Sequence, residues 1–379
     1  MKFIIKFGTS ILQIIYQCMK VLPVKNKVTM ISRQSDNISM DFRMISDSLQ
    51  KKLPYIKVVF LCRTLDGGVN ASVKNKIKYG FHMFTQMYHM ATSKVVLLDT
   101  YCITASLLKH RKELKIVQMW HSMGTMKLFG YTAVGSDEGS SNDIAECMHM
   151  HANYDYFIAS SENYKKHLAA GFRCDEKKAF ICPLPRYDLL RDGKFKANKQ
   201  KEIYLRYPEL RNVKKILYCP TFRKDESRME RALQDLIKYL PEGFELIVKL
   251  HPLSQISITD KHVWTLKEFS TFDTLFIADY VISDYSCVVY EAGILKLPLC
   301  FYIFDFEQYG IKRGLAIDLK KEVEGVISED PAIIMDAIKN DRFDMNKIQK
   351  FIKRYITDTD NATNKISDFL INIGELKNE

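Results

Sequence analysis

The chain has 379 residues, of which 47% are hydrophobic and 27% charged. This composition excludes a disordered or fibrous protein and predicts a globular protein long enough for two domains. Lys and Arg (56) exceed Asp and Glu (45), and the formal net charge of +11 favours an anionic partner: a phosphorylated substrate, an acidic membrane surface or nucleic acid.

The nine cysteines are scattered along the chain and form no CxxC pair. Several of them, such as Cys219, Cys287 and Cys300, lie in apolar runs typical of strands. We therefore expect reduced cysteines in the core of a cytosolic protein.

The segment 1–22 predicts an amphipathic helix, which Pro23 ends. Its apolar residues follow helical spacing between lysines at both ends: Phe3, Ile4, Phe7, Ile11, Ile14, Ile15 and Met19. Polar residues interrupt the segment too often for a membrane-spanning helix, and it has no signal-peptide cleavage site. Two interpretations remain: a helix on a membrane surface, which the positive net charge favours, and a helix packed on the protein's own core.

Apolar runs typical of buried strands alternate with helical patterns along the rest of the chain. The alternation stops at a charged segment, 191–211, and then restarts. This pattern predicts parallel sheets, so we expect an α/β fold with two Rossmann-like domains facing a central cleft. The predicted boundaries are the amphipathic membrane-associating helix at 1–22, an N-terminal domain at 23–195, a linker at 196–213, and a C-terminal domain with closing helices at 214–379.

Polar residues directly follow a predicted strand in the segment 279–318. Strand 280–282 runs into Ser283, Asp284 and Ser286, and a helix is predicted over 286–296. Ligands of open α/β sheets bind at the carboxyl ends of strands, and the N–H groups at a helix start favour an anion such as a phosphate. The two serines are explained equally well as caps of that helix, because one residue can do both.

Histidines follow two other predicted strands. His121 follows strand 114–119, where an imidazole that titrates near neutrality suits a general base. The alternative is a histidine satisfied by hydrogen bonds at a domain boundary. His251 follows strand 244–250 and would donate to a diphosphate oxygen or protonate a leaving group.

Two arginines complete the predicted site. Arg223, two residues after Thr221 at the end of strand 215–219, would hold a phosphate with its forked N–H groups, although a surface ion pair explains it as well. Arg313 would reach a phosphate, and Asp305 would orient another side chain or accept from a hydroxyl. We expect a nucleotide-diphosphate donor in the C-terminal half and a base that activates the acceptor in the N-terminal half.

No pattern in the sequence predicts a metal or cofactor site. Asp358 and Asp360 precede a helix, where capping explains them, and the spacing of His149 and His151 does not place two ligands on one helix face. The chain also lacks a P-loop, a GxGxxG fingerprint, HExxH, GxSxG and an RNA-binding aromatic motif. We therefore expect no cofactor, no nucleic acid partner and catalysis without a metal.

Five segments of the chain, in this order, carry a family resemblance: WHSMGTMKLFG, ILYCPTFR, VKLHP, ADYVISDYSCVVYEAGILKLPLCFY and FDFEQYGIKRG. With the late segment DTDNATNKISDFL they resemble the CDP-glycerol glycerophosphotransferase family of teichoic acid primases and polymerases, over roughly residues 20–372. The resemblance implies a GT-B-like fold and a peripheral enzyme at the cytoplasmic face of the bacterial cell membrane, in contact with its anionic surface.

The resemblance also assigns roles to residues of this chain. It makes His121 the general base on the acceptor hydroxyl, and it makes Asp284 and Glu291 residues that shape the nucleotide pocket. The implied binders of the CDP-polyol diphosphate, among which His251 is also catalytic, are Thr221, Arg223, His251, Ser283, Ser286 and Arg313.

The chain departs from the family pattern at three positions. Ser122 stands where the family usually has glycine directly after the histidine, and Gly124 follows two residues later. Asn361 and Lys365 stand where the family tends to have glycine and arginine. We expect the first departure to alter the geometry at the acceptor and the other two to alter only the C-terminal helix.

The implied reaction moves glycerol phosphate, or another polyol phosphate such as ribitol phosphate, from a CDP-polyol to a lipid-linked saccharide or a growing teichoic-acid or capsule polymer. CMP would leave with its charge stabilised by Arg223, His251 and Arg313. The chain length favours a primase slightly over a polymerase. Two other classes stay open: a GT-B glycosyltransferase with a nucleotide-sugar donor, and a non-catalytic basic protein that docks on membranes.

Overall fold

A computed structural model describes residues 2–64, 72–137 and 139–378 of the chain. The side chains of Lys2, Phe3, Ile4 and Lys6 lie outside the described part. The chain forms two compact units. Unit 1 comprises Met1–Ser122, Phe129–Arg186 and Thr359–Glu379, and unit 2 comprises Met123–Leu128 and Tyr187–Asp358.

Unit 1 is built on a parallel sheet with the strand order β2-β1-β3-β4-β5-β6. Its strands are β1 (Lys25–Ser32), β2 (Lys57–Cys62), β3 (Ser93–Leu98), β4 (Lys115–Gln118), β5 (Tyr156–Ala159) and β6 (Ala179–Ile181). Its first six helices are α1 (Lys2–Met19), α2 (Met40–Lys52), α3 (Val73–Thr92), α4 (Ile103–Leu107), α5 (Asn142–Cys147) and α6 (Glu162–Phe172). The central strands β1 and β3 are buried along most of their length, as expected for a sheet covered on both faces.

Unit 2 repeats the architecture with the strand order β12-β11-β10-β7-β8-β9, again all parallel. Its strands are β7 (Lys214–Cys219), β8 (Phe244–Val248), β9 (Val263–Trp264), β10 (Tyr280–Ser283), β11 (Leu299–Tyr302) and β12 (Val326–Ser328). The helices that follow α6 are α7 (Arg186–Arg191), α8 (Gly193–Arg206), α9 (Ser227–Lys238), α10 (Thr271–Leu275), α11 (Val288–Ile294), α12 (Phe306–Arg313), α13 (Leu319–Glu322), α14 (Pro331–Lys339) and α15 (Met345–Tyr355). The middle strand β10 is buried at every residue, which places its carboxyl end in the centre of the unit.

The last helix, α16 (Ala362–Gly374), belongs to unit 1, although the sequence predicted the whole of 214–379 as the C-terminal domain. Its buried residues Ile366 and Leu370 face unit 1, where α16 packs against α2, and the Ser48 hydroxyl donates to Asn364 Oδ1 at 2.8 Å. Asn361, with φ of 55°, breaks the helical stretch predicted over 345–369 into α15 and α16.

Most of the predicted linker at 196–213 is helical, because α8 covers residues 196–206 and a short 3-10 helix follows at Pro208–Leu210. Unit 2 begins instead at residue 187, within α7. The predicted α/β class is nevertheless confirmed, since each unit has the parallel sheet and helical connections of a Rossmann-like domain. None of the helices in the described ranges is both long and apolar enough to cross a membrane.

Candidate active site

The turn that carries His121 follows strand β4 directly. The side chain of Gln118, the last residue of β4, accepts a hydrogen bond on Oε1 from the backbone N–H of Trp120 at 2.9 Å. Trp120 has a φ of 61°, a left-handed conformation that costs free energy in a residue with a large side chain. The turn presents the exposed His121 at the carboxyl end of the sheet, where the sequence predicted it.

His121 is held in one tautomer by its neighbour on the next strand. Its Nδ1 lies 3.1 Å from the backbone oxygen of Asp99, the residue after β3. Because a carbonyl oxygen only accepts hydrogen bonds, Nδ1 must carry the proton. In the neutral ring the lone pair is then on Nε2, which is the state that a general base needs.

Asp99, whose backbone oxygen contacts His121, also carries a buried carboxylate. It is 3% exposed, and its Oδ1 has no hydrogen-bond partner among the described residues. Burial raises the pKa of Asp99 to about 6, although hydrogen bonds from Ser32 and Thr100 oppose the shift. In the sequence, only its position directly after an apolar run at 95–98, which predicts a strand, indicated this residue.

Asp284 organises the corresponding strand ends of unit 2. It is fully buried, and its carboxylate accepts from the backbone N–H groups of Thr221 and Tyr285 and from the side chain of Arg223. These bonds join the turn after β7 to the turn after β10, which are adjacent strands. The carboxylate of Asp284 therefore holds both turns together, and its role in shaping a nucleotide pocket stays a prediction.

Arg223 is buried in the same cluster. Its ion pairs are therefore internal and do not lie on the surface, where the sequence had also allowed one. Arg223 is 9% exposed, and its Nε and Nη2 donate to the two carboxylate oxygens of Asp305 at 3.0 and 2.9 Å. Its Nη1 donates to Asp284 and to the backbone oxygen of Thr221. These four bonds use most of the five N–H groups of a guanidinium, so the side chain holds two carboxylates in place. A direct contact between Arg223 and a phosphate stays a prediction.

The serines and the glutamate of the predicted site have different surroundings. Ser283 is fully buried, and its hydroxyl donates to the backbone oxygen of Cys219 at 2.7 Å, so it ties β10 to β7. Ser286 is half-buried just before α11, and its Oγ lies 3.5 Å from the backbone N of Val288. Glu291 is half-buried on α11. Only Ser286 thus keeps both the capping and the ligand-binding interpretation.

Thr221 carries a buried hydroxyl group without a partner. The residue is 8% exposed, and its Oγ1 makes no hydrogen bond within the described part of the chain. Burying a hydroxyl without a hydrogen bond is costly, so this group is suited to a bound ligand.

His251 is held in the tautomer opposite to that of His121. Its Nδ1 accepts from the backbone N–H of Leu253 at 3.2 Å, so the proton of the neutral ring is on Nε2. Burial lowers the pKa of His251, and the neighbouring Lys127 lowers it further, so the ring is neutral near pH 7. The exposed Nε2–H is therefore a hydrogen-bond donor, as binding of a phosphate oxygen requires.

The short segment Met123–Leu128, which follows the His121 turn, belongs to unit 2. Tyr290 donates from its hydroxyl to the backbone oxygen of Thr125 at 2.6 Å. Two further backbone bonds tie the segment to the residues after α12: Met126 accepts from Ala316 at 3.0 Å, and Leu128 donates to Gly314 at 3.2 Å.

This segment brings Lys127 into the charged cluster of unit 2. Burial lowers the pKa of Lys127; Asp284 opposes this shift, and Arg313 and Arg223 add to it. Lys127 and Arg313 therefore share a region with the strand-end turns. The sequence placed Lys127 just after the histidine motif but not in the predicted site, because nothing in the spacing shows which unit holds the segment.

In the ranges that the structure describes, no three His, Cys, Asp or Glu side chains come together as a metal site would require. His149 is exposed, whereas His151 is buried beneath Trp120. Unit 2 presents an imidazole donor, a hydroxyl and two cations, which suit an anionic diphosphate. Unit 1 presents the exposed imidazole of His121.

Comparison with known protein families shows which family the chain belongs to. The family model described as CDP-glycerol:poly(glycerophosphate) glycerophosphotransferase matches residues 14–372. The teichoic acid ribitol-phosphate primase of Bacillus spizizenii is 32% identical over 368 residues, which are 92% of each protein. The teichoic acid glycerol-phosphate primase of Bacillus subtilis is 30% identical over 307 residues, which are 78% of each protein. The family resemblance found in the sequence is therefore confirmed.

Solved structures support the fold. The wall teichoic acid polymerase TagF superimposes with a TM-score of 0.75 at 19% identity, over 99% of this chain and 98% of that one. This match confirms the predicted GT-B-like fold. A UDP-GlcNAc 2-epimerase from Methanocaldococcus jannaschii also matches, with a TM-score of 0.59 at 14% identity over 91% of this chain and 99% of that one. Since the fold is shared with an enzyme of different chemistry, the reaction must be argued from the family and the site residues.

Proposed function

Because this chain belongs to the CDP-glycerol:poly(glycerophosphate) glycerophosphotransferase family and so transfers a polyol phosphate from a CDP-linked donor, we propose that His121 is the general base of the transfer. The observation that carries this proposal is the 3.1 Å contact between His121 Nδ1 and the Asp99 backbone oxygen, which assigns the ring lone pair to Nε2. Nε2 takes the proton of the acceptor hydroxyl while the hydroxyl oxygen bonds to the phosphorus next to the polyol. The bond from that phosphorus to the oxygen of CMP breaks, and CMP leaves with the electron pair.

The donor diphosphate is bound by unit 2 in this proposal. His251 donates from Nε2 and assists the departure of CMP, and Thr221 contributes its buried hydroxyl. Lys127 and Arg313 supply positive charge where charge develops on the leaving phosphate. Ser286 donates from the start of α11, and Glu291 shapes the nucleotide pocket. The role of three further residues is indirect, because their side chains hold the turns after β7 and β10 in place: Asp284, Ser283 and Arg223.

The acceptor is a lipid-linked saccharide or a growing polymer. Proteins similar to this chain are named ribitol-phosphate primase, poly(ribitol-phosphate) polymerase and glycerol-phosphate primase, which supports both polyols as candidates. The family match favours this reaction over the glycosyl transfer and the non-catalytic docking that the sequence left open. Catalysis proceeds without a metal, because cationic side chains neutralise the diphosphate.

The enzyme works as a peripheral protein at the cytoplasmic face of the cell membrane. Helix α1 supports this location: Tyr16 anchors one side of it in unit 1 through a 2.8 Å hydrogen bond to His110, while Phe7, Ile11 and Ile14 are exposed on the other side. The two interpretations of this segment are thus compatible, since one side packs on the protein and the other side is available to lipid.

The test is CMP release by the purified protein with CDP-glycerol or CDP-ribitol, with and without a lipid-linked disaccharide. We expect acceptor-dependent release from one donor. His121→Asn should lower its rate by about 10²–10⁴-fold, the usual contribution of a general base. His149→Asn, the same substitution at an exposed histidine of unit 1, is the control and should keep the wild-type rate. A His121→Asn variant with more than a tenth of the wild-type rate would overturn the assignment of the base.

A further inference from the structure

The strained residue before His121 is surrounded by aromatic side chains. The ring of Trp120 lies 4.4 Å from that of His121 and 4.8 Å from that of Phe129, measured between centroids. It also contacts Phe172 at 5.5 Å and His151 at 5.8 Å, both edge-on. The indole therefore packs directly against the imidazole of the next residue.

A chain of hydrogen bonds runs from the backbone of Trp120 into the core of unit 1. Gln118 accepts from the Trp120 N–H on Oε1 at 2.9 Å, and its Nε2 donates to Tyr154 Oη at 3.0 Å. Tyr154 Oη lies 2.9 Å from Nδ1 of His151. The amide nitrogen of Gln118 only donates, so the tyrosine oxygen accepts there. Among the described residues His151 Nδ1 is the one acceptor within reach of the Tyr154 hydroxyl proton, so we assign Tyr154 as the donor to His151.

The members of this chain are buried, so their hydrogen bonds are not exchanged with water. Gln118 is fully buried, Tyr154 is 2% exposed and His151 is 4% exposed. Burial also lowers the pKa of His151 to about 3, so the ring stays neutral at physiological pH and has one nitrogen that can accept the Tyr154 proton. In a buried chain of this kind, loss of one member leaves the next polar group unsatisfied.

We propose that Gln118, Tyr154 and His151 form a relay that holds Trp120 in its left-handed conformation and thereby aims the His121 imidazole. His151 and Tyr154 are positioning residues in this view, because neither has to touch a substrate. The spacing of His149 and His151 predicted no metal-binding role for the pair; the structure shows that His151 has a hydrogen-bond partner, and the relay gives it a role. The inference rests on the proposed role of His121 as the base.

The test removes the middle hydroxyl and keeps the ring. We expect Tyr154→Phe to lower kcat for CMP release by about tenfold and to change KM for the CDP-polyol by less than about twofold, since a kcat effect alone marks a contribution to the transition state. The matched control is Tyr101→Phe. Tyr101 also contacts the His151 ring, at 5.4 Å, but its hydroxyl donates to the backbone oxygen of Met148 and so stands outside the relay.

A second measurement needs no activity. The chain has two tryptophans, so Trp264→Phe makes Trp120 the only one. Its emission then reports the contact with His121, because a protonated imidazole quenches an indole that it touches. We expect the pH-dependent quenching of Trp120 to be clear in this background and to shrink when Tyr154→Phe or His151→Phe is added.

The single variants Tyr154→Phe and His151→Phe and the double variant together test the relay. Both break the same hydrogen bond, so we expect the double variant to lose no more kcat than the stronger single variant. Multiplying losses, or a Tyr154→Phe variant with wild-type kcat and wild-type quenching, would overturn the relay. Failure of the proposed function is distinguishable, because then His121→Asn itself would keep its rate.

Discussion

His251 and His121 carry their protons on opposite ring nitrogens, and this difference makes a prediction about replacements at His251. A glutamine amide nitrogen reaches the position of Nε2, whereas an asparagine side chain reaches only that of Nδ1. Because His251 is proposed to donate from Nε2, we expect His251→Gln to keep kcat within about tenfold and His251→Asn to lower it by about 10²-fold, the usual loss for one donor to a developing charge. CMP release measures both.

The same pair of substitutions at His121 serves as the control. Neither amide takes up a proton, so both His121 variants should be equally inactive. If His251→Asn and His251→Gln had equal rates, the Nε2–H of His251 would not be the group that matters.

Asp99 predicts a dependence of stability on pH. Its pKa is about 6 in the folded protein and about 4 in the unfolded chain, so the unfolded state ionises first as the pH rises. The contribution of Asp99 to the free energy of unfolding is therefore lost between pH 4 and pH 6 and is absent above pH 6. We expect the unfolding free energy of the wild type to fall, relative to that of Asp99→Asn, by on the order of 1–3 kcal/mol as the pH rises from 4 to 8.

Urea unfolding at the two pH values, followed by Trp120 emission in the Trp264→Phe background, measures this difference. Asp137→Asn is the control, because Asp137 is an exposed carboxylate of the same unit. An Asp99→Asn curve that stays parallel to the wild type from pH 4 to pH 8 would contradict the prediction.

The cations of unit 2 lead to a prediction about metal. Lys127 and Arg313 lie in one charged cluster with Asp284, and His251 neighbours Lys127. If these side chains neutralise the donor diphosphate, we expect EDTA, and Mg²⁺ added after it, to change the rate of CMP release by less than about twofold. A large loss in EDTA that Mg²⁺ restores would refute this, and EDTA already saturated with Mg²⁺ is the control.

At the scale of single residues the sequence predicts positions better than contacts. His121, His251 and Thr221 all lie at strand ends as expected, because a polar residue after an apolar run marks the carboxyl end of a buried strand. The inward orientation of Arg223 and Ser283 was not predictable. It depends on β7 and β10 being neighbours in the sheet, which the order of strands along the chain does not reveal.

Among the elements, the segment Met123–Leu128 leads to a prediction about Gly124. A Cβ atom there would lie 2.3–2.5 Å from ring atoms of Tyr290, which is fully buried and already bonded to Thr125. We expect Gly124→Ala to displace the segment, destabilise unit 2 by about 1–3 kcal/mol and, through Lys127, raise KM for the CDP-polyol about tenfold. Thermal unfolding and CMP release measure the two effects.

Gly80→Ala is the matched control for this change. Gly80 lies within α3, and an added Cβ would have no heavy atom within 4 Å. We expect it to stabilise α3 by up to about 1 kcal/mol and to leave KM unchanged. If Gly124→Ala behaved in the same way, the fit of Gly124 against Tyr290 would not hold the segment.

Secondary structure was predictable wherever apolar runs are long and regular. Strands β7 and β10 appear within one residue of their predicted bounds, whereas the short edge strands β9 (Val263–Trp264) and β12 (Val326–Ser328) were not predicted. Edge strands bury fewer side chains and so leave a weaker pattern. The break between α15 and α16 was missed because it depends on the left-handed Asn361, where no proline or glycine marks a helix end.

For the whole molecule, alternation along the chain was enough to predict two parallel sheets, but not how the chain is divided between them. Two excursions escape the pattern: Met123–Leu128 joins unit 2, and Thr359–Glu379 returns to unit 1. Both are decided by tertiary packing, since Ile366 and Leu370 of α16 fit unit 1 and nothing in their helical spacing names a partner.

The exposed apolar residues of unit 1 lead to a prediction about membrane binding. The exposed apolar residues of α1 recur at helical spacing, and so do those of α3, which packs beside it. They are Phe7, Ile11 and Ile14 on α1, and Val73, Ile77, Phe81, Phe84 and Tyr88 on α3. Phe3 and Ile4, which the sequence placed in the same pattern, lie outside the described side chains. Exposed lysines near the start of α3 suit an anionic lipid surface: Lys74, Lys76 and Lys78.

We therefore expect the protein to sediment with vesicles that contain phosphatidylglycerol, and to do so less as salt is raised. The double variant Phe7→Ser, Phe81→Ser should bind at least about tenfold more weakly, because each phenylalanine loses on the order of 1.5–3 kcal/mol of transfer into lipid. Leu205→Ser is the control: Leu205 on α8 is 81% exposed, more than Phe7 (61%) or Phe81 (70%), but lies in unit 2. Equal binding by the wild type and the double variant would show that α1 and α3 do not contact lipid, whereas a loss in the double variant alone would place the membrane against this face of unit 1.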